Sequence, residues 1–225
     1  MQPLQLNLGC GSVRPAGWIN TDSSLNANLQ RIPVLKNLVT SYFKTVKYDS
    51  SNFRYMNLNS RWKYSPGSVS IVYASHLFEH LTIRSAELML KESFRCLKPG
   101  GVIRIVVPDL YKISKRYVTE FEKGNKNASE YAMWAINMHR EGQYKNLNFF
   151  KRLFFEWQGY PHQHKFMYDE FSLTKKLIDA GFTDILSLEY GKSQYLPNIG
   201  DVEGDKESYL SVYLEARKPI NNNNI

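Results

Sequence analysis

The sequence predicts an α/β fold built on a mostly parallel sheet that closes with an antiparallel pair, and three observations predict it. An apolar run, Leu4-Gln5-Leu6-Asn7-Leu8, ends in Gly9-Cys10-Gly11, and a second short run, Trp18-Ile19-Asn20-Thr21, ends in Asp22. The segments 69–74 and 102–107 are compact runs rich in β-branched residues, with a helical pattern between them. Strand, helix, strand in that order gives parallel pairing through a right-handed crossover. Finally, 185–190 and 209–216 read as strands joined by a long polar loop, hence an antiparallel pair.

A chain of 225 residues suits one compact domain with a substantial core, assigned to residues 1–220, with the Asn-rich stretch 221–225 as a frayed tail. No apolar run approaches the roughly twenty residues a membrane helix requires. The N-terminus lacks a basic segment followed by an apolar stretch, so no signal peptide is expected. The two cysteines, Cys10 in a predicted turn and Cys96 in a predicted helix, suggest reduced thiols and a cytoplasmic setting. A net charge of +8 favours acidic partners: nucleotide-linked substrates, nucleic acid or an anionic membrane surface.

Taken in order, the glycine turn 9–11 lacks Cβ atoms, so backbone can approach a ligand closely and offer N–H donors, or it is a plain tight turn. An aspartate at the end of the neighbouring strand can accept hydrogen bonds from both hydroxyls of a ribose. Ile32, Leu35, Val39, Tyr42, Phe43 and Val46 recur at helical spacing, with Pro33 suited to a first turn. Residues 55–59 form a short strand. After the strand 69–74 comes Ser75-His76-Leu77-Phe78-Glu79-His80-Leu81, then a helix with Ile83, Ala86, Leu90, Phe94 and Leu97 on one face. It stops at Lys98-Pro99-Gly100-Gly101. The strand 102–107 ends in Pro108-Asp109.

Between 111 and 161 the chain leaves this rhythm. It is basic and aromatic, with helices expected over 111–123 and 129–141 and an apolar patch at 147–157. An excursion after a strand's C-terminal end sits where open α/β sheets bind ligands, so it reads as a helical cap over a substrate pocket or as core padding. A helix over 169–180 follows His162-Gln163-His164.

In this order, these segments resemble the class I S-adenosylmethionine-dependent methyltransferases over nearly the whole chain, and within them the small branch associated with surface-glycan biosynthesis. The residues that carry the resemblance are Leu6-Asn7-Leu8-Gly9-Cys10-Gly11, Gly17 to Asp22, Ser75 to Leu81, Leu97 to Gly101, Val107 to Leu110, His164 to Tyr168 and Ala180-Gly181-Phe182. The resemblance implies a Rossmann-like fold with a seven-stranded sheet whose last strand is antiparallel. It implies S-adenosylmethionine as cofactor, with Leu8, Gly9, Cys10 and Gly11 along its amino-acid part, Asp22 on the ribose, Asn57 and Leu58 at the adenine edge, and Ser75 beside them. Two departures stand out. Relatives carry aspartate where this chain has Asn57, and aspartate again where it has Ser70; asparagine still offers a carbonyl acceptor, without the charge.

Methyl transfer is an in-line displacement that needs alignment above all, and a hydroxyl acceptor also benefits from a base. Candidates at strand ends are His76, His80 and Asp109, with His162 or His164 arriving from the cap. The alternatives are structural: Glu79-His80 as a helix cap, Asp109 as an N-cap. His76, Glu79 and His80 stand at i, i+3 and i+4 and share a face if helical. With a later histidine they look similar to the Glu-x-x-Glu-His plus distal His arrangement of small-RNA 2′-O-methyltransferases and some quinone-biosynthesis O-methyltransferases, where a divalent ion holds acceptor oxygens. A divalent metal is left open here and no ligand is assigned. The branch association implies an O-methyltransferase acting on a sugar hydroxyl of a glycan or an activated sugar, nucleotide-linked or lipid-linked. The alternatives are another small acceptor (a quinone or lipid precursor), an RNA ribose, which dispersed basic residues disfavour, or a catalytically silent cofactor-binding partner in glycan assembly.

Overall fold

The computed structural model describes residues 4–11, 13–23, 52–138, 149, 163–203 and 208–220. The expected helix over 32–46 and the apolar patch at 147–157 fall essentially outside these residues. Eleven elements follow in order: β1 (Leu4–Leu8), β2 (Ile19–Asp22), β3 (Phe53–Tyr55), β4 (Val69–Ser75), α1 (Ile83–Cys96), β5 (Leu97–Pro108), α2 (Leu110–Glu122), α3 (Ala128–Ala135), α4 (Glu170–Asp179), β6 (Thr183–Leu188) and β7 (Ser211–Arg217). The seven strands form one sheet in the order β3-β2-β1-β4-β5-β7-β6. The pairs from β3 through to β5 are parallel, while β7 runs antiparallel to both β5 and β6. Six strands therefore share one direction and the last opposes them, as the resemblance implied.

The period-2 alternation of the strands sorts two cores. Leu6, Leu8, Val72, Ala74, Ile103, Ile105, Val107 and Leu214 face the helical layer, where Met89 and Leu90 of α1 and Leu173 and Leu177 of α4 meet them. Burying each such side chain contributes about 1.5–3 kcal/mol. On the other face Tyr73, Val102, Val106 and Tyr213 pack against Leu196, Ile199 and Val202 of the loop before β7. Arg104 lies on that second face, opposite Glu215 in register. It is fully buried, and its guanidinium donates to Glu203 (2.8 and 3.0 Å) and to Glu215 (3.0 Å).

Four boundaries differ from the sequence reading. β3 ends at Tyr55 instead of spanning 55–59, because Met56 and Leu58 turn into the core. β5 starts at Leu97: Leu97 pairs with Val69, and Gly100 and Gly101 exchange backbone hydrogen bonds with Lys218. The Pro-Gly signal thus ends α1 but opens a strand, not a loop. The expected helix over 129–141 stops at Ala135, where Asn137 takes a left-handed φ of 50°. The stretch 76–80 is not an α-helix. His76 sits at φ 48° and only Phe78–His80 coil, as a single 3-10 turn.

Candidate active site at the carboxyl ends of the parallel strands

The chain leaves β1 toward β2 on one side, and β4 takes the other, so strand order reverses beside β1. Ligands of open α/β sheets bind outside the strand carboxyl ends at such a switch point. Gly9, Asp22, Ser75 and Asp109 all lie at those ends.

The glycine turn is built into the sheet by buried polar side chains. Gly9 and Gly11 adopt φ of 61° and 48°. The Cys10 N–H donates to Thr21 O at 2.9 Å, tying the turn to β2. Asn7 Nδ2 donates to Val13 O and to Asn20 Oδ1, both at 2.9 Å, and Asn20 Nδ2 reaches Pro15 O and Trp18 O at 3.2 Å. The two asparagines, 2% and 0% exposed, thus hold the whole loop between β1 and β2 without an intervening helix. Sequence reasoning passed over them, although a polar residue inside each apolar strand was the signal. Burial, with the Asp22 charge second, pushes the Cys10 thiol up to about 12, so it stays protonated.

Asn57 follows β3 and is exposed; its Oδ1 accepts the Asn59 N–H at 2.9 Å in an Asx turn. Leu58 is buried with the main core. Ser70 Oγ donates to Leu4 O at 2.9 Å, so the hydroxyl that replaces the expected aspartate serves the β1–β4 seam.

The second half of the site is a histidine cluster around one carboxylate. Leu77 lies directly on the glycine turn: a Cβ built on Gly9 would come within 2.8 Å of its Cδ1. Two residues on, Glu79 is fully buried. Its Oε1 lies 3.3 Å from His76 Nδ1, 4.0 Å from His80 Nε2 and 3.9 Å from His164 Nε2. The close approach of His76 is off the hydrogen-bond direction, and neither carboxylate oxygen has a hydrogen-bond partner. The segment carrying His164 is fastened by backbone: Lys165 N–H and Phe166 N–H both donate to Glu79 O, at 2.8 and 3.3 Å. The histidine and glutamate residues therefore converge as the sequence grouped them, but through a turn and a distant segment, not through a helix face. His162 lies outside the described residues.

Asp109 stands apart from this cluster. It is the N-cap of α2, with Oδ1 accepting the N–H groups of Tyr111 (2.9 Å) and Lys112 (3.4 Å). Its own N–H donates to Leu210 O at 2.7 Å, and Leu110 N–H donates to Tyr168 O. Burial raises its carboxyl above the usual range, against the two backbone donors. Tyr168, buried beside Phe78 and Phe166, is pushed up to about 12 by burial first and by the Glu79 charge second. α2 and α3 are the described part of the excursion over 111–161, joined to the sheet end through Ile113, Ala135 and Leu210. Among the described residues, no helix is long and apolar enough to cross a membrane.

Residues 6–105 match the family described as "Methyltransferase domain". Among solved structures, the chain is similar to a S-adenosylmethionine-dependent methyltransferase from Methanosarcina mazei, with 16% identity, 98% of this chain and 95% of that one covered, and a TM-score of 0.48. It is similar to a possible histamine N-methyltransferase from Thermotoga maritima at 13% identity, covering 97% and 83% with a TM-score of 0.47. The carbon methyltransferase CurJ gives 13% identity and a TM-score of 0.48 over 96% of this chain, which spans 48% of the CurJ chain. The matched segment holds β1 through most of β5, the glycine turn, Asp22, and the 75–81 turn. The glycine turn and the turn carrying His76, Glu79 and His80 thus both fall inside the matched segment, and Asp109 and His164 lie beyond it.

Proposed function

We propose that the methyltransferase domain of this chain works as an S-adenosylmethionine-dependent O-methyltransferase, transferring methyl to a sugar hydroxyl of a glycan or activated sugar. The observation that carries the reading is the junction of the two half-sites: Leu77 packs on Gly9 while Glu79, two residues on, gathers three histidines. A cofactor turn and a basic cluster in contact suit an acceptor that must lose a proton as it attacks. Family resemblance supplies the sugar; the geometry supports an acceptor that gives up a proton.

The residues present fit the cofactor. The Cβ-free turn at Gly9 and Gly11 admits close backbone approach, and Asp22 ends β2 beside it. When bound, S-adenosylmethionine supplies a methyl group on a sulfonium: the new C–O bond forms as the C–S bond breaks and S-adenosylhomocysteine leaves. The protein's part is alignment and proton removal. His76 is the proton acceptor in this reading. It follows β4 directly, its side chain is 38% exposed, and Glu79 stands at 3.3 Å from its Nδ1. A carboxylate at that distance stabilises the imidazolium that forms. A non-glycine residue at φ 48° is backbone strain of the kind retained at reactive centres. Asp109 orients α2 through its cap. The silent-partner alternative rests on Asn57 and Ser70; the Ser70 hydroxyl's bond to Leu4 O gives one of these departures a structural role and favours the active reading.

The test is binding and turnover measured separately. S-adenosylhomocysteine should raise the melting temperature by mass action, and Asp22→Ala should weaken binding by about 10- to 100-fold, since each hydrogen bond to a charged acceptor contributes about 1.5–3 kcal/mol. Nucleotide sugars and short glycans, screened for the mass increase of one methyl group, identify the acceptor. His76→Ala should then lower single-turnover methylation about 10²–10⁴-fold with cofactor affinity unchanged. Unaltered affinity in Asp22→Ala, or full turnover in His76→Ala, overturns the corresponding half of the reading.

A further inference from the structure

The geometry points to a phosphate-binding ridge on α2, formed by Lys112 and Arg116, that selects a sugar carrying a phosphate or diphosphate over a neutral glycan. The inference rests on the methyltransferase reading above and narrows its acceptor to an anionic one.

The ridge starts at the strand ends. Lys112 and Arg116 stand one turn apart on α2 and share a face. Both reach the short turn that enters β7: Lys112 Nζ donates to Ser211 O at 2.6 Å, and Arg116 Nη1 donates to Tyr209 Oη at 2.9 Å. That turn is tied to the carboxyl end of β5, because Asp109 N–H donates to Leu210 O at 2.7 Å. Ser211 Oγ lies 3.5 Å from His76 Nε2. The two cations therefore form a line that begins beside the proposed proton acceptor and follows α2.

The Arg116 charge is held in place without being neutralised. Its guanidinium lies 3.8 Å from the centre of the Tyr131 ring and 5.5 Å from that of Tyr209. A planar cation held on aromatic faces keeps its N–H edge for planar, bidentate acceptors, and phosphate is one. Among the described residues, no carboxylate lies within ion-pair distance of it. Glu120, the acid one turn on, is engaged by Lys123 at 3.1 Å and Asn125 at 2.9 Å instead. Joining α2 to Tyr131 and Tyr209 does not require a charge. An apolar side chain would pack on the same rings without the cost of desolvating a cation.

Lys112 complements it. Its side chain is 45% exposed, and Asp109 Oδ2, at 3.8 Å, offsets part of its charge from beyond hydrogen-bond reach. Lys115, 5.9 Å from the centre of the Tyr111 ring on the same helix, adds to the positive potential. Four residues of helix advance about 6 Å, so tandem phosphoryl groups can meet both head groups. A neutral sugar gives neither of them a charge partner.

The test titrates inorganic pyrophosphate calorimetrically into the full chain saturated with S-adenosylhomocysteine. Saturable binding is expected. Arg116→Gln and Lys112→Gln should each weaken it more than about tenfold, and Arg116→Lys should restore part of the loss. Lys98→Gln, which removes the same charge at the opposite end of β5, should leave it unchanged. Repeating the titration with uridine diphosphate and with farnesyl diphosphate separates the sources: the tighter of the two marks a nucleotide-linked or a lipid-linked acceptor. Each variant's thermal shift by S-adenosylhomocysteine is measured alongside; should Arg116→Gln fail to fold, Lys112→Gln decides. Absent binding in the wild type, an equal loss in Lys98→Gln, or a parallel loss of S-adenosylhomocysteine binding in the charge variants, which marks a packing role, overturns the ridge. So does a neutral glycan methylated equally fast by wild type and Arg116→Gln. A normal S-adenosylhomocysteine shift without pyrophosphate binding refutes the ridge and leaves the methyltransferase reading standing; pyrophosphate binding without that shift does the reverse.

Discussion

Gly9→Ala is the substitution whose effect the structure specifies most closely. The residue sits at φ 61°, a left-handed conformation costing an L-residue about 1–2 kcal/mol. The added methyl would also lie 2.8 Å from Leu77 Cδ1, 3.0 Å from Cδ2 and 3.2 Å from Cβ. The two terminal carbons can rotate away, but the Cβ contact presses on the backbone of the 75–81 turn, an overpacking effect of about 1–3 kcal/mol. The sum is about 2–5 kcal/mol. Gly11→Ala is the matched control, with φ 48° and open space around a built Cβ, so it should cost only the conformational part. Urea unfolding at constant m-value measures both. Gly9→Ala should be the less stable variant by about 1–3 kcal/mol, because only there does the added methyl press on Leu77 and the 75–81 turn. Equal destabilisation of the two variants would show that Leu77 does not abut the turn, and the proposed junction between the half-sites would fail.

Other outcomes follow from the same structure. Arg104→Met should destabilise by about 3–5 kcal/mol, because Glu203 and Glu215 are left as buried carboxylates without their cation. Glu203 is held above the usual carboxylate range by burial even with Arg104 present. A raised folded-state pKa means that the native state binds more protons than the unfolded one, so stability falls as pH rises through it; the variant should therefore recover part of its loss as the pH is lowered toward the carboxylate range, and a deficit that is flat with pH would contradict the assignment. Asp109→Ala should cost about 0.5–2 kcal/mol through the lost cap, while Asp109→Asn, an equally good cap, should retain both stability and turnover. Loss of turnover in well-folded Asp109→Asn would return that carboxylate to the chemistry.

The parts of the fold legible in the sequence were those where one local signal decides the outcome. The β-branched runs of β4 and β5 and the Gly-x-Gly turn all lie where they were read. The errors arose where tertiary pairing overrides a local signal. Lys98-Pro99-Gly100-Gly101 reads as a loop, yet Lys218 of the last strand's extension supplies hydrogen-bond partners and draws it into β5. His76, Glu79 and His80 were grouped by helical spacing, which is the wrong reason for a correct grouping: the left-handed His76 and one 3-10 turn bring them together. The complete burial of Glu79 was not legible, because glutamates are seldom fully buried, and no periodicity encodes the arrival of His164 from 85 residues away.

That arrival is what gives the short segment 163–168 its importance. Its carbonyl at Gln163 fixes the His80 tautomer, and its N–H groups at Lys165 and Phe166 hold Glu79. Its Tyr168 pairs with Asp109 as an isolated parallel bridge and accepts from Leu110 at the start of α2. One stretch thus contacts the residue that follows β5, the turn before α1 and the first residue of α2. A cluster assembled this way has no local stability of its own; it exists only when the segment after the cap has docked. Ordering of the histidine cluster and docking of the chain beyond 163 are then one event, and any ligand that binds the assembled cluster stabilises that docking by the same free energy. The glycine turn differs, because Asn7 and Asn20 hold it from within the sheet. In the function proposed above, cofactor binding would draw on the glycine turn and acceptor chemistry on the returning segment. The order in which the two half-sites become competent is therefore built into the connectivity of the chain.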